Sequence, residues 1–326
     1  MEFNDNRNQW LLEGDPWVRW RTYKELLNPP ADDPNLSIIH QEVITHTKIS
    51  HLFSLLEDWP NPLLNSHKAS QHPLHILSFL VDIGITVDDP GMSALVEKIF
   101  AHQGDQGPFQ MKMNISPHYG GKGVDEFAWA ICDAPLTLYS LGKLLGPQDH
   151  HIKSAIGYLV SLIRENGWPC AVSPELGRWR GPGRKDDPCP FANLVMLKLL
   201  AELPEYSDCQ AAHIGAETLL SLWENSLSEH PYIFYMGKDF RKLKVPLVWY
   251  DILHVTDVLS RFTWLRNDPR LDEMIAVITG KADQSGFYIP ESIYMPWKTW
   301  EFGQKKEPSR YLTLRVLELL QRMQKN

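Results

Sequence analysis

A helical repeat of about sixty residues constrains this chain more than any other feature of its sequence. Apolar residues recur at spacings of three, four and seven in five places. They are Leu74, Leu77 and Val81; Phe127, Ile131, Leu138, Leu141 and Leu145; Phe191, Leu194, Leu197 and Leu200; Ile252, Val255, Leu259 and Phe262; and Leu312, Val316, Leu319 and Leu320. This is the period of a helix that buries an apolar stripe. The helices so marked are 71–83, 126–145, 188–202, 248–262 and 309–323, starting near Gln71, Glu126, Asp187, Tyr250 and Arg310. Second helices are expected between them at 91–103, 149–165, 208–227 and 269–280, with an opening pair at 16–28 and 35–56. No strand-like alternation stands out, so the chain reads as all-α.

A long period made of two helices and a loop is a helical-hairpin repeat. Open solenoids use shorter units of roughly 34–47 residues with tight turns. Here the loops 166–186, 229–247 and 281–308 are long and rich in Gly, Pro and Trp, and long structured loops in compact domains tend to carry function. Several units end in Gly-aromatic or Gly-Pro turns: Gly107-Pro108-Phe109, Gly167-Trp168-Pro169 and Gly286-Phe287-Tyr288. The expected architecture is a single domain over 1–326, an α/α toroid. It is a complete or incomplete ring of about six helical hairpins around a central cavity, the five marked helices lining the inside.

Composition narrows the function. A net charge of −8 lacks the broad basic face of a nucleic-acid binder. The start MEFNDNRNQW has no basic and apolar leader, and no apolar run of about 18 residues occurs, so the sequence reads as cytoplasmic without an integral membrane segment. Four widely spaced cysteines, Cys132, Cys170, Cys189 and Cys209, then read as free thiols or metal ligands.

The Gly-Trp and Gly-Phe turns leading into inner helices resemble the repeat of squalene cyclases and protein prenyltransferase β subunits. Asp15-Pro16-Trp17-Val18-Arg19-Trp20-Arg21 and Ser309-Arg310-Tyr311-Leu312-Thr313-Leu314-Arg315 are similar to the first and last helices of uncharacterised bacterial members. The likeness covers most of the chain as pattern, through short motifs. It implies a terpenoid-cyclase or prenyltransferase toroid that acts on an isoprenoid or other small molecule with an anionic, diphosphate-like head.

If the inner helices start at one end of the ring, their first turns share a mouth. Those turns carry Gln71, His72 and His75; Asp125, Glu126 and Asp133; Asp186, Asp187 and Cys189; Trp249, Tyr250, Asp251 and His254; Arg310 and Tyr311. Helix N-termini favour anions. Prenyltransferases bind zinc with an Asp-x-Cys pair and a later His, which the resemblance places on Asp187, Cys189 and His254. Three such ligands leave a fourth position open for chemistry. The plain reading of Asp187-Pro188 is a helix cap followed by a first-turn proline, with Cys189 packed in the core. Squalene cyclases carry Asp-x-Asp-Asp at an inner-helix start. Here Asp186 and Asp187 match it, but Arg184 replaces its first acid.

Basic residues precede three inner helices: Arg178, Arg180, Arg184 and Lys185; Lys238, Arg241, Lys242 and Lys244; Lys298, Lys305 and Lys306. Arg180, Arg184, Lys185, Lys242, Lys244 and Arg310 are expected to hold the anionic head. Trp249 and Tyr250 wall the cavity, with Trp168, Trp179, Trp297 and Trp300 as further aromatic candidates. The candidate catalytic residues are Asp186, Asp187, Asp251, Glu126 and Tyr250. The loop Gly104–Gly123 reads as a cover over the mouth, and His67, His118, His150 and His151 read as surface or loop residues. Two alternatives stand beside this reading. One is a carbohydrate lyase, epimerase or hydrolase using Glu126, Asp133 and Asp251, with Tyr250 or His254 taking a proton. The other is a non-catalytic ligand-binding ring.

Overall fold

Proline and Asx caps punctuate the chain into helices of two kinds. The computed structural model describes residues 5–177, 179, 181, 183–231 and 233–324. Its helices are α1 (Asp5–Leu12), α2 (Pro16–Arg21), α3 (Pro34–Thr45), α4 (Thr47–Leu56), α5 (Pro73–Asp82), α6 (Met92–Phe100) and α7 (Ala134–Leu145). They continue with α8 (His150–Ser161), α9 (Pro190–Leu200), α10 (Gln210–Asn225), α11 (Ile252–Leu259), α12 (Pro269–Thr279) and α13 (Arg310–Gln324). Pro opens α2, α3, α5, α9 and α12, where its missing N–H costs nothing and its fixed φ suits the first turn. Asp33, Asp149, Asp251 and Asp268 cap four helices by accepting a backbone N–H.

Burial separates the two kinds. Every residue of α9 and of α11 is buried, as are nine consecutive residues of α5 and Ala134–Leu141 of α7. A helix apolar all round must be enclosed by others. By contrast α6, α8 and α12 bury a single stripe, such as Ile152, Ala155, Ile156 and Leu159 of α8. The enclosed helices pack in chain order: α5 on α7, α7 on α9, α9 on α11, α11 on α13, and α13 on α2. The striped helices back them, with α4 against α5, α8 against α7, α10 against α9 and α12 against α11. Arg21 of α2 bonds Glu318 of α13 and also the Asp82 carbonyl at the end of α5.

The enclosed helices share a direction. Near their starts, Phe191 meets Trp249 at 4.4 Å between ring centroids, and the Cys132 and Cys189 sulfurs stand 3.8 Å apart. Toward their ends, Lys198 of α9 reaches Asp82 of α5, and Arg315 of α13 reaches Asp257 of α11. The striped helices between them run back. Among the described residues, no helix is long and apolar enough to cross a membrane.

Several expected boundaries change. Glu126–Ala128 is not helical: it is strand β2, antiparallel to β1 (Met111–Met113), with Met111 opposite Ala128 and Met113 opposite Glu126. Helix α7 therefore begins at Ala134, not near Glu126, and strand pairing replaces all-helical structure in this stretch. Asp187 does not cap α9, because Cys189 takes the cap position and Pro190 the first turn. The opening helix breaks into α2 and a π-helical turn, Thr22–Leu27, which ends at Asn28 with φ of 49°. The segment 35–56 divides at His46, whose imidazole caps α4. Helix α1 has a mostly polar sequence and no apolar stripe to announce it.

Candidate functional site

The starts of the enclosed helices gather polar groups that have lost water without gaining full partners. Asp251 caps α11. Its Oδ1 accepts the His254 N–H at 3.0 Å, while Oδ2 is buried with no partner. Burial pushes the carboxyl up to about 7, although Lys244 and the amides of His254 and Leu253 oppose the shift. Lys244 lies 4.0 Å from the Tyr294 ring centroid, and burial lowers its ammonium pKa against the pull of Asp251. The Tyr294 hydroxyl accepts the Trp249 N–H at 3.2 Å. Trp249 packs against Phe191, tilted by 37°, and stacks on Phe234 at 6.0 Å, and the Lys68 ammonium sits 4.9 Å from its ring centroid. Two cations, a protonatable carboxyl and an aromatic wall thus share one place.

Tyr250 adds a buried hydroxyl with no hydrogen-bond partner, and burial raises its pKa well above the usual value. Its ring packs on Phe234 and Phe240 at 5.2 and 5.1 Å. His254 is fully buried. Its Nδ1 bonds the Trp249 carbonyl at 2.9 Å, its Nε2 has no partner, and burial holds its pKa down to about 3. It is a neutral imidazole in the first turn of α11.

Other candidates have different tasks. Arg184, Lys185 and Asp186 are exposed on a loop held through its backbone, with Arg164 donating to the Lys185 carbonyl and Asn166 to the Asp186 carbonyl. Asp187 accepts the Arg184 N–H at 2.9 Å and so folds its own loop. Lys242 pairs with exposed Asp239 at 2.6 Å. Arg310 turns away from the cluster, donating to the Trp10 carbonyl and lying 4.8 Å from the Trp10 ring centroid. Glu126 pairs with Lys122 on the strand ribbon. Asp133 is fully buried and accepts the Ala130 N–H, and burial raises its pKa well above the carboxylate range. Arg178 and Arg180 lie outside the described residues. Trp168, Trp297 and Trp300 are core residues: the indole of Trp168 donates to the Leu159 carbonyl, and that of Trp297 to the Ser70 carbonyl.

The zinc set implied by the resemblance does not fit. Among the described residues, the three metal-ligating atoms that close within 4.8 Å of one another belong to Asp149, His150 and His151. Asp187, Cys189 and His254 form no such set. Asp187 is engaged by its own loop, and Cys189 faces Cys132.

A second polar region lies at the opposite ends of the same helices. Asp257 receives Arg315 at 2.8 Å, Arg322 at 2.7 Å and Arg261 at 3.0 Å. Glu318 pairs with Arg21 at 2.7 Å and with Arg315 at 2.9 Å. Lys198 reaches Ser78 at 2.9 Å, and Tyr139 donates to Asp82. Burial alone would raise the Asp257 pKa, but the three guanidinium groups hold it well below the usual range. A cleft of about 790 Å³ opens beside this network, between α2, α3 and the ends of α5 and α7. These charges pair with one another across helices, although Arg315 Nε and Nη1 and Arg261 Nε are buried without a hydrogen-bond partner. Their sequence signal is a charge inside an apolar run, as in Leu197-Lys198-Leu199 and Leu314-Arg315-Val316. Lys68 and Tyr294, by contrast, sit in loops with no periodic cue.

Searches with the chain against protein-family models, curated proteins and solved structures returned no match.

Proposed function

We propose that the chain is an α/α-toroid enzyme that binds a small apolar molecule with an anionic head at the mouth where the enclosed helices begin. In this reading Asp251 exchanges a proton with the bound molecule. The observation that carries it is the buried, unpartnered Oδ2 of Asp251, on a carboxyl held up to about 7 beside Lys244. A carboxyl poised near neutrality can donate or accept a proton with little energetic penalty, which is the property required of a general acid or base.

The neighbours support the substrate class. Lys244 and Lys68 supply positive charge on a mostly acidic protein, and both ammonium groups lie over aromatic rings. Trp249, Phe191 and Phe234 offer an apolar wall beside them. A diphosphate-headed isoprenoid has this combination of head and tail. The succession of enclosed helices from α5 to α13 and on to α2, each backed by an outer helix, supports the toroid. The carbohydrate reading has less support, because Glu126 is paired with Lys122 and Asp133 is sealed in the core.

Calorimetry with geranyl diphosphate, geraniol and inorganic diphosphate tests the proposal. Saturable binding of geranyl diphosphate, weakened at least about tenfold by Lys244→Met, is expected for a desolvated charge contact. Absence of binding by all three would overturn the assignment of substrate class.

A further inference from the structure

The ends of six helices meet at the cleft of about 790 Å³ and bring together residues that the sequence keeps far apart. Arg21, Asp82, Lys143, Glu202, Arg261 and Arg322 line it, each in the last turn of its helix or within two residues of the helix end. Lys198 and Arg315 join these four cations through ion pairs, and Asp257 and Glu318 join the two carboxylates. Six cations thus face four carboxylates. The acceptors are used up, since Asp82, Glu202, Asp257 and Glu318 each accept on both oxygens. The nitrogens left over are donors: Arg261 Nε, Arg315 Nε and Arg315 Nη1 are buried without an acceptor.

We propose that this cleft binds a small oxyanion carried on a polyhydroxylated body, a sugar phosphate or a sugar acid. Buried N–H groups without acceptors are costly, and a surplus of desolvated positive charge adds to that cost. Phosphate or carboxylate oxygens relieve both, because they accept several hydrogen bonds and pair with guanidinium groups. Lys24 adds a cation at the rim. Its ammonium lies 4.7 Å from the Trp20 ring centroid and forms no ion pair among the described residues. The helix ends offset part of the charge, with Arg21 donating to the Asp82 carbonyl and Arg322 to the Asp257 carbonyl at 3.4 Å. Those bonds supply no acceptor to Arg261 Nε.

The rest of the cleft fits the body of such a molecule. A bare ion would fill little of the space. The outer wall carries Ser37, Gln41 and Thr86, all exposed, with the exposed carboxylates of Glu25 and Asp88 beside them. Asp89 closes that wall and is already engaged, by His40 at 2.9 Å and by the Thr86 N–H at 2.7 Å. Hydroxyl and amide groups donate and accept, and free carboxylates accept, which matches the hydroxyl groups of a sugar. The aromatic mouth around Trp249 lies at the opposite ends of the same helices and offers a different wall. The two sites are therefore independent, and this one does not rest on the reaction proposed for Asp251.

Calorimetry on the full chain tests this with glucose-6-phosphate, glucuronate, glucose and inorganic phosphate as probes. Saturable binding of glucose-6-phosphate or glucuronate is expected, at least about tenfold tighter than that of glucose or of phosphate alone. The tighter of the two identifies the head as phosphate or carboxylate. Lys24→Met and Ser37→Trp change exposed positions and leave the buried network in place. Each should weaken binding at least about fivefold, the first by removing charge and the second by filling the cleft, whereas Lys244→Met should leave it unchanged. If neither glucose-6-phosphate nor glucuronate binds more tightly than about 10 mM, the proposal is overturned and the helix carbonyls alone balance the charge. Equal affinity for glucose would refute the oxyanion, and equal affinity for inorganic phosphate would refute the sugar body. Unaltered affinity in both Lys24→Met and Ser37→Trp would place the ligand elsewhere and overturn the assignment.

Discussion

Arg315 of α13 meets Asp257 of α11 at 2.8 Å with both side chains about 1% exposed. Two charges so deeply buried have lost their hydration, and each depends on the other to offset that cost. Arg261 and Arg322 share the same carboxylate, so Asp257 is the anion on which three cations converge.

Removing that anion should be severe. Asp257→Ala is expected to lose about 3–5 kcal/mol in urea unfolding, because three guanidinium groups are left without their common partner. Replacing Asp257 with Leu and Arg315 with Met together should cost less than Asp257→Ala alone. A loss below about 1 kcal/mol for Asp257→Ala would mean that solvent reaches this network.

Gly84 offers a test of the packing between α2 and the end of α5. Its φ is +99°, and a Cβ there would lie 2.4 Å from the buried Trp20 ring. Gly84→Ala combines backbone strain with overpacking and should cost roughly 2–4 kcal/mol in thermal or urea unfolding. Adding Trp20→Leu should recover only part of that loss, because the backbone strain remains.

Acid should unfold the protein before most carboxylates titrate. Burial depresses His72 to about 4 and both His75 and His254 to about 3. These groups bind protons more readily in the unfolded chain, so their stabilising contribution is present above about 6.5 and is lost as pH falls toward 4. Urea midpoints measured from pH 7 to 4 should fall steeply, and His254→Gln should flatten the slope. An unchanged slope in a folded variant would show that His254 is hydrated.

Asp251 acts in the opposite direction. Its folded value lies above the unfolded one, so its contribution is present below about 4 and is lost as pH rises through about 7. Asp251→Asn should therefore gain stability over the unaltered chain above pH 7, by up to roughly 4 kcal/mol. That gain is expected alongside the loss of any acid–base reaction.

The enclosed helices were legible from sequence because they are apolar over several turns. The runs around Leu194 and Val255 lead to α9 and α11 with boundaries only a few residues displaced. Glu126 misled because Phe127 and Ile131 extend the α7 spacing backward into a strand, where alternation over three residues is too short to register. Asp251, Trp249 and Lys244 were readable as helix-start chemistry. The meeting of Cys132 and Cys189 was not, because it depends on backbone pairing between loops that carry no periodic signal. Cys189 was placed in a site through the Asp187-Pro188-Cys189 motif, and its neighbour in space, Cys132, differs from those that the motif implies.

The central claim is that Asp251 is a proton-exchanging carboxyl at the mouth of the enclosed helices. Carboxyl carbon NMR of the labelled chain measures this directly, with Asp251→Asn identifying the resonance. An inflection near about 7 is expected, moving higher in Lys244→Met because that cation favours the ionised form. Titration near 4, unmoved by Lys244→Met, would show a hydrated carboxylate and contradict the account.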